Sequence, residues 1–160
     1  MIHLRNMTAG EYPDYRHFFI GEYARDLSAN HGYDIGQGRI NAIASIDGYL
    51  PQGVATPDNQ LYCIEAGDAA DRQGVPPVAG YLWITCKDEA AYISDFCILP
   101  AWRRRGLGRS ALAQLDQRLR AQGVTELGLR VAADNPGARA LYDACGFHVT
   151  GVNMVKPLSR

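Results

Sequence analysis

The sequence predicts a mixed α/β fold, with a twisted sheet of six or seven strands flanked by about four helices. Short apolar runs typical of strands alternate with longer segments in which apolar residues recur every three or four positions. Between residues 91 and 132, a strand-like run, a helix-like segment and a second strand-like run follow one another, an order that implies a parallel pair with a right-handed crossover. A chain of 160 residues can bury a core without disulfides or a metal, so we expect a single domain over residues 1–160.

The front of the chain is predicted to hold one strand and two helices. Residues 2–7 alternate apolar and polar side chains, and aromatic residues then recur at helical spacing over residues 12–27. Thr8 and Glu11 have the spacing of a capping box before that helix, and Gly32 follows its end.

A second, shorter helix is predicted over residues 37–46. Its apolar residues Ile40, Ile43 and Ala44 are expected to face inward. The turn-forming residues 47–53 follow it.

The back of the chain is predicted to alternate strands and helices. Two antiparallel strands with a long connection are expected, then a strand, a helix and a further strand, then a helix that opens at Asn135 and closes at Gly146, and a last strand. The predicted ranges are 61–66, 78–86, 91–99, 106–122, 126–132 and 147–157.

Composition excludes some classes of function. A net charge of −1 and a pI near 6.4 give no global attraction to nucleic acid or anionic lipid. The N-terminus has no signal-peptide core and no apolar stretch reaches membrane-spanning length, so we expect a cytoplasmic protein. The four scattered cysteines are interpreted as small buried hydrophobes, with a catalytic role for Cys97 left as an alternative.

The most informative stretch is the turn at residues 103–109, between a predicted strand and a predicted helix. A helix N-terminus has unpaired N–H groups and positive dipole character, and glycines let an anion approach the backbone. Four arginines surround this point, which favours a phosphate ligand. The turn has the sequence Arg103-Arg104-Arg105-Gly106-Leu107-Gly108-Arg109. The alternative is that the glycines only shape a turn and the arginines form a solvated basic patch.

Two motifs together resemble the GCN5-related N-acetyltransferase (GNAT) superfamily. The first is Arg103-x-x-Gly106-x-Gly108, and the second is Asn135-Pro136-x-Ala138-x-x-Leu141-Tyr142-x-x-x-Gly146-Phe147. The resemblance implies a GNAT-type acyl-CoA N-acyltransferase fold. It also implies that the first motif binds the pyrophosphate of acetyl-CoA and that the second is a helix beside the pantetheine arm. The helix pair and the loop at Tyr49 would wall the acceptor site, although core packing of the tyrosines is the alternative.

The same resemblance implies roles for the strand before the turn. That strand carries a bulge in the family and diverges from its neighbour, so the pantetheine arm pairs with its backbone. Phe96, Cys97 and Ile98 would bind pantetheine through their main chain, and one of their N–H groups would polarise the thioester. Asn135 would hydrogen-bond to the coenzyme arm or to an intervening water. The alternative interpretation is that Asn135 caps the helix.

The catalytic residues implied are Tyr142 and Asp95. Tyr142 would protonate the leaving thiolate, although its place on an apolar helix face also fits a core residue. Asp95 would take the amine proton or only cap the bulge, and Glu22 and Asp26 are alternatives that could bind a cationic acceptor. The chain carries Arg130 where the enzymes that acetylate ribosomal-protein N-termini carry a glutamate.

These expectations define an enzyme that moves an acetyl group from acetyl-CoA to a primary amine, with no metal, no nucleic acid and no membrane as partners. The acceptor is left open among small amines, antibiotic-like molecules and peptide amines. One alternative is a catalytically silent acyl-CoA sensor on the same fold. A second is a nucleic-acid-binding domain that uses the arginines. A homodimer through an edge strand or the C-terminus is compatible with the sequence.

Overall fold

The computed structural model describes residues 1–159. The described residues form five strands and four α-helices, in this order along the chain: β1 (Ile2–Asn6), α1 (Tyr12–His31), α2 (Ile35–Tyr49), β2 (Asn59–Ala66), β3 (Val78–Lys87), β4 (Ala90–Ile98), α3 (Leu107–Ala121), β5 (Glu126–Leu129) and α4 (Pro136–Ala144). Three single-turn 3₁₀ helices occupy Gly53–Ala55, Gly67–Ala69 and Pro100–Trp102. Within residues 1–159, no helix combines the length and apolar character needed to cross a membrane.

The described residues divide into two compact units. The first comprises residues 1–8 and 57–130, and the second comprises residues 9–56 together with the described residues from Val131 onward. The first unit therefore contains the whole sheet and α3, and the second contains α1, α2 and α4. A single domain stays a prediction.

The first unit is built on one mixed sheet in the order β1-β2-β3-β4-β5. The first four strands are antiparallel to their neighbours, and β5 is parallel to β4, as the strand-helix-strand order predicts. The mixed α/β class and the four helices are confirmed, but the described residues form five strands rather than six or seven.

The predicted last strand over residues 147–157 accounts for part of that difference. No strand is formed there, and every side chain from His148 to Ser159 is exposed. An alternating pattern fixes a strand only where one of its faces is buried, and this segment has no such face. The apolar residues Val152 and Met154, at 79% and 93% exposure, are examples.

Helix α3 covers the edge strand β1 of this sheet. Its residue Leu115 is fully buried, as is Leu4 on the strand. The Gln114 side-chain amide donates to the Ile2 carbonyl over 2.7 Å and accepts from the Leu4 amide over 3.3 Å, and Arg118 donates to the Leu4 carbonyl. Polar side chains of the helix therefore bond directly to the edge-strand backbone, and the helix axis is fixed against the strand.

In the second unit, α1 begins later than a capping box at Thr8 would place it. Residues 9–11 form a turn, and the N-cap position is Glu11, whose side chain makes no capping hydrogen bond. The prediction of Thr8 as the N-cap is therefore wrong, and Pro13 lies in the first turn of the helix, where proline is tolerated. The end is as predicted, with Gly32 in the left-handed conformation at φ 73°.

Helix α2 is longer than predicted, and the face that it buries differs from the predicted one. Its buried residues are Gly38, Ala42 and Ile46, whereas Ile40 is 62% exposed and the prediction that it faces inward is wrong. A Cβ at Gly38 would lie 2.9 Å from the Ala24 carbonyl oxygen. The two helices therefore approach each other closely at this glycine, and that contact favours the face that α2 buries.

Candidate functional site

Strand β4 contains a bulge at the position that the resemblance implies. Opposite β3, Trp83 pairs with Asp95 and Ile84 pairs with Ile93, so Ser94 is an extra residue with no cross-strand partner of its own. Ser94 was not predicted as a site residue, although it lies inside the apolar run of residues 91–99. A hydroxyl residue next to a carboxylate inside such a run is the signal that could have located the bulge.

Strands β4 and β5 part at this bulge. Their parallel pairing joins Ala90–Ile93 to Glu126–Leu129, where β5 ends, while β4 continues to Ile98. Phe96, Cys97 and Ile98 lie beyond the last pair and are half-buried. The predicted pantetheine-binding residues therefore occupy the part of β4 that β5 does not cover.

On its other side, this part of β4 is packed against β3 through a glycine. Gly80 pairs with Ile98, and a Cβ placed at Gly80 would collide with the Cys97 carbonyl oxygen. Only a residue without a side chain permits this approach, so Gly80 sets the position of the strand end that leads into the turn.

The turn after β4 has an unusual backbone. Arg104 adopts φ 63° although it is not a glycine, and Gly106, the N-cap of α3, adopts φ 73°. Arg103 donates to the Ile98 carbonyl over 2.8 Å, and Arg105 donates to the Ala101 carbonyl over 3.2 Å. Two left-handed residues and two side-chain bonds to the backbone thus hold the turn in one shape.

This shape presents positive charge at the start of a helix. The first-turn amides of α3, Leu107 to Arg109, have no partner within the helix, and no side chain among residues 1–159 caps it. Gly106 has no protein atom near the place where a Cβ would stand. The four arginines of the turn are exposed. Together these groups can bind a phosphate or pyrophosphate.

The second motif forms the start and the core face of α4. The side-chain oxygen of Asn135 accepts a hydrogen bond from the Ala138 amide over 3.1 Å, so it caps the helix. Tyr142 is the one buried residue of α4, and its ring packs edge-on against Phe147 with centroids 5.6 Å apart. The capping role predicted for Asn135 is present, and Tyr142 has the packing of a core residue.

The two acidic residues on α1 are engaged with neighbours on the same helix. Glu22 accepts from Arg25 over 2.7 Å, and Asp26 accepts from the Asn30 side chain over 2.6 Å. The same Asn30 amide donates to Asp134 over 2.9 Å, which ties the end of α1 to the residue before the α4 cap.

A bulged strand that parts from its parallel neighbour and runs into an arginine-rich helix start is the arrangement that the family resemblance implies. The model of the acetyltransferase (GNAT) family matches residues 39–147. The chain belongs to this family, and it is an acetyl-CoA-dependent N-acetyltransferase.

Individual relatives agree with this assignment. The chain is 36% identical over 113 residues to the uncharacterized N-acetyltransferase YycN of Bacillus subtilis, a stretch that covers 68% of each chain. The crystal structure of that putative acetyltransferase matches the whole of both chains, with a TM-score of 0.89 and 29% identity.

Two further enzymes are similar in part. The [ribosomal protein bS18]-alanine N-acetyltransferase of Escherichia coli K12 is 41% identical over 61 residues, which is 38% of this chain and 40% of that enzyme. The spermidine N-acetyltransferase of Vibrio cholerae, in complex with CoA and spermine, shares the fold with a TM-score of 0.63 and 18% identity, over 94% of this chain and 82% of that chain.

Proposed function

We propose that this enzyme transfers the acetyl group of acetyl-CoA to a primary amine by direct attack in a ternary complex. The observation that carries the proposal is the continuous path from the bulge at Ser94, along the part of β4 that β5 does not cover, to the arginine-rich start of α3. A thioester bound along the strand and a pyrophosphate bound at the turn would occupy this path together.

The donor is proposed to bind mostly through the backbone. The main chain of Phe96, Cys97 and Ile98 would bond to the pantetheine arm. A strand that extends beyond the end of its parallel neighbour offers an unpaired edge to an extended ligand. The pyrophosphate would be bound by the turn and the helix start that follows it. These residues are Arg103, Arg104, Arg105, Gly106, Leu107, Gly108 and Arg109. Asn135 would act on the coenzyme arm through the NH₂ of its amide, since its oxygen caps α4.

The transfer needs a neutral amine, a polarised carbonyl and a proton for the departing thiolate. We assign Asp95 as the base, because it follows the bulge directly and is half-buried in the strand that would hold the thioester. We assign Tyr142 as the acid, since a phenol can supply the proton that the thiolate of CoA accepts. A backbone N–H of residues 96–98 would polarise the thioester.

The acceptor is proposed to be a small polyamine or a peptide amine. The similar enzymes from Vibrio cholerae and Escherichia coli act, by their names, on spermidine and on the alanine of a ribosomal protein. This chain has Arg130 at the position where the enzymes that acetylate ribosomal-protein N-termini are expected to carry a glutamate. This difference favours an acceptor other than the alanine of a ribosomal protein.

The test is a transfer assay with purified protein, acetyl-CoA and an amine panel, monitored by thiol release. The panel contains spermidine, a peptide that begins with alanine, and an aminoglycoside. We expect acetylation of at least one of them above the rate of hydrolysis. Binding of acetyl-CoA without transfer to any amine would instead support a catalytically silent acyl-CoA sensor.

A further inference from the structure

Four side chains of the sheet are joined by hydrogen bonds that end at the β4 bulge. The Trp83 indole donates to the Asn59 side-chain oxygen over 2.7 Å, and the Thr85 hydroxyl donates to the same oxygen over 3.0 Å. The hydroxyl oxygens of Thr85 and Ser94 lie 2.8 Å apart. The chain of bonds therefore crosses from β2 through β3 to the point at which β4 parts from β5.

The direction of these bonds follows from counting protons. The Asn59 NH₂ group donates to the Pro57 carbonyl over 2.8 Å, so its oxygen is the atom that faces Trp83 and Thr85. The single hydroxyl proton of Thr85 is used on that oxygen. Ser94 must therefore donate its own proton to Thr85, and the Ser94 oxygen can then only accept from a further partner.

This acceptor lies where the parallel strands separate. Ser94 is the first residue of β4 beyond the last pair with β5, and it is half-buried. Asp95, the proposed base, pairs directly with Trp83, so its side chain projects from the same face of the sheet as that of Trp83. The same face thus offers a hydroxyl oxygen and a carboxylate at adjacent positions of the chain.

We propose that the Ser94 hydroxyl oxygen accepts a hydrogen bond from the amine substrate, an inference that rests on the proposed acetyl transfer. An attacking amine has N–H groups to donate and one lone pair that must stay available for the thioester carbon. A group that can only accept binds the N–H and leaves the lone pair unused. Ser94 is therefore a substrate-binding residue, and the Thr85 and Asn59 side chains hold it in its accepting state.

The experiment compares Michaelis constants for both substrates in single variants. The amine is the member of the panel described above that the wild type acetylates fastest. Ser94→Ala is expected to raise KM for the amine about tenfold, the size of one lost hydrogen bond to a substrate, with KM for acetyl-CoA unchanged. Thr85→Val removes the hydroxyl to which Ser94 donates, and it is expected to raise KM for the amine about threefold.

Two further variants separate this role from a general loss of structure. Thr85→Ser keeps the hydroxyl and is expected to behave as the wild type. Tyr62→Phe removes a side-chain hydrogen bond to Gln60 on β2 and is expected to leave both Michaelis constants unchanged.

The outcomes distinguish the two proposals. An unchanged amine KM in Ser94→Ala, or an equal rise in KM for acetyl-CoA, overturns the role of Ser94 and leaves the proposed acetyl transfer standing. A wild-type protein that acetylates none of the three amines of the panel overturns both.

Discussion

The turn at residues 103–109 and the helix pair α1–α2 use their charged side chains in opposite ways. In the turn, Arg103 and Arg105 bond to main-chain carbonyls, which position the guanidinium groups without neutralising them. In the helix pair, Arg16 bonds to both oxygens of Asp47 over 2.9 and 2.8 Å. The guanidinium groups of the turn therefore keep their net positive charge, whereas the charge of Arg16 in the helix pair is balanced by Asp47.

The helix pair also contains a buried polar group. The Tyr12 hydroxyl, at the start of α1, is buried and has no hydrogen-bond partner in the described part of the chain. Its burial, assisted by the nearby Asp47 carboxylate, raises the pKa of Tyr12. The difference teaches that the turn at residues 103–109 is organised around exposed charge, while α1 and α2 are organised around their own packing.

The largest effect is expected from substitutions that bring side chains into close backbone contacts. Gly80→Ala places a Cβ against the Cys97 carbonyl and should lower the free energy of unfolding by about 3 kcal/mol, measured by urea denaturation. Gly21→Ala is the matched control, because nothing lies near its Cβ position in the middle of α1. It should stabilise the protein by about 0.5–1 kcal/mol. Equal effects of the two changes would contradict the close approach of β3 and β4.

Tyr142→Phe tests whether a residue with core packing also performs chemistry. The ring and its contact with Phe147 are kept, so stability should change little, while loss of a general acid should lower kcat about 100-fold. Tyr62→Phe, at a tyrosine of β2 that is also buried, is the control and should keep full activity. A Tyr142→Phe enzyme with wild-type kcat would reduce Tyr142 to a structural residue.

Gly106→Ala separates strain from ligand binding. Gly106 and Gly74 both have φ above 70° and open space at the Cβ position, so alanine at either should cost about 1 kcal/mol of stability. Only the change at Gly106 should also weaken acetyl-CoA binding, measured by calorimetric titration, because it alters the backbone at the proposed pyrophosphate site. Comparable affinity in both variants would place the pyrophosphate elsewhere.

The smallest effect concerns the ion pair of the helices. The hydrogen bond from Arg16 lowers the pKa of Asp47 and raises that of Arg16. A carboxyl whose pKa is lower in the folded state stabilises above its unfolded pKa, and this contribution is lost as the pH falls through the folded value. For a half-exposed pair it amounts to about 0.5 kcal/mol. The difference in the free energy of unfolding between Asp47→Asn and the wild type, measured by urea denaturation, should therefore be largest at pH 7 and should shrink as the pH is lowered below the ordinary carboxyl pKa.

Much of the first unit was predictable because its signals are local. The bounds of β4, the turn and α3 were predicted to within a few residues. The signals were a proline after an apolar run, glycines in a turn and apolar residues one helical turn apart. The left-handed conformation of Arg104 was not predictable, since it depends on the bonds that hold the turn rather than on residue type.

The helix pair was predicted less accurately because its orientation depends on a contact between helices. The apolar residues Ile40, Ile43 and Ala44 suggested one face, but the close approach at Gly38 selects another. A glycine carries no hydrophobic signal, so periodicity could not reveal it. The predicted strand over residues 147–157 was wrong for a related reason, since its alternating pattern has no buried face to satisfy.

The central claim is that the strand, bulge and arginine turn bind acetyl-CoA, and thermal unfolding tests it most directly. A ligand that binds only the folded protein raises the melting temperature, and at 100 times its dissociation constant it stabilises by about 2.7 kcal/mol. We predict a clear rise with saturating acetyl-CoA and a smaller one with acetyl-pantetheine, which lacks the pyrophosphate. An unchanged melting temperature at saturating acetyl-CoA would contradict the account.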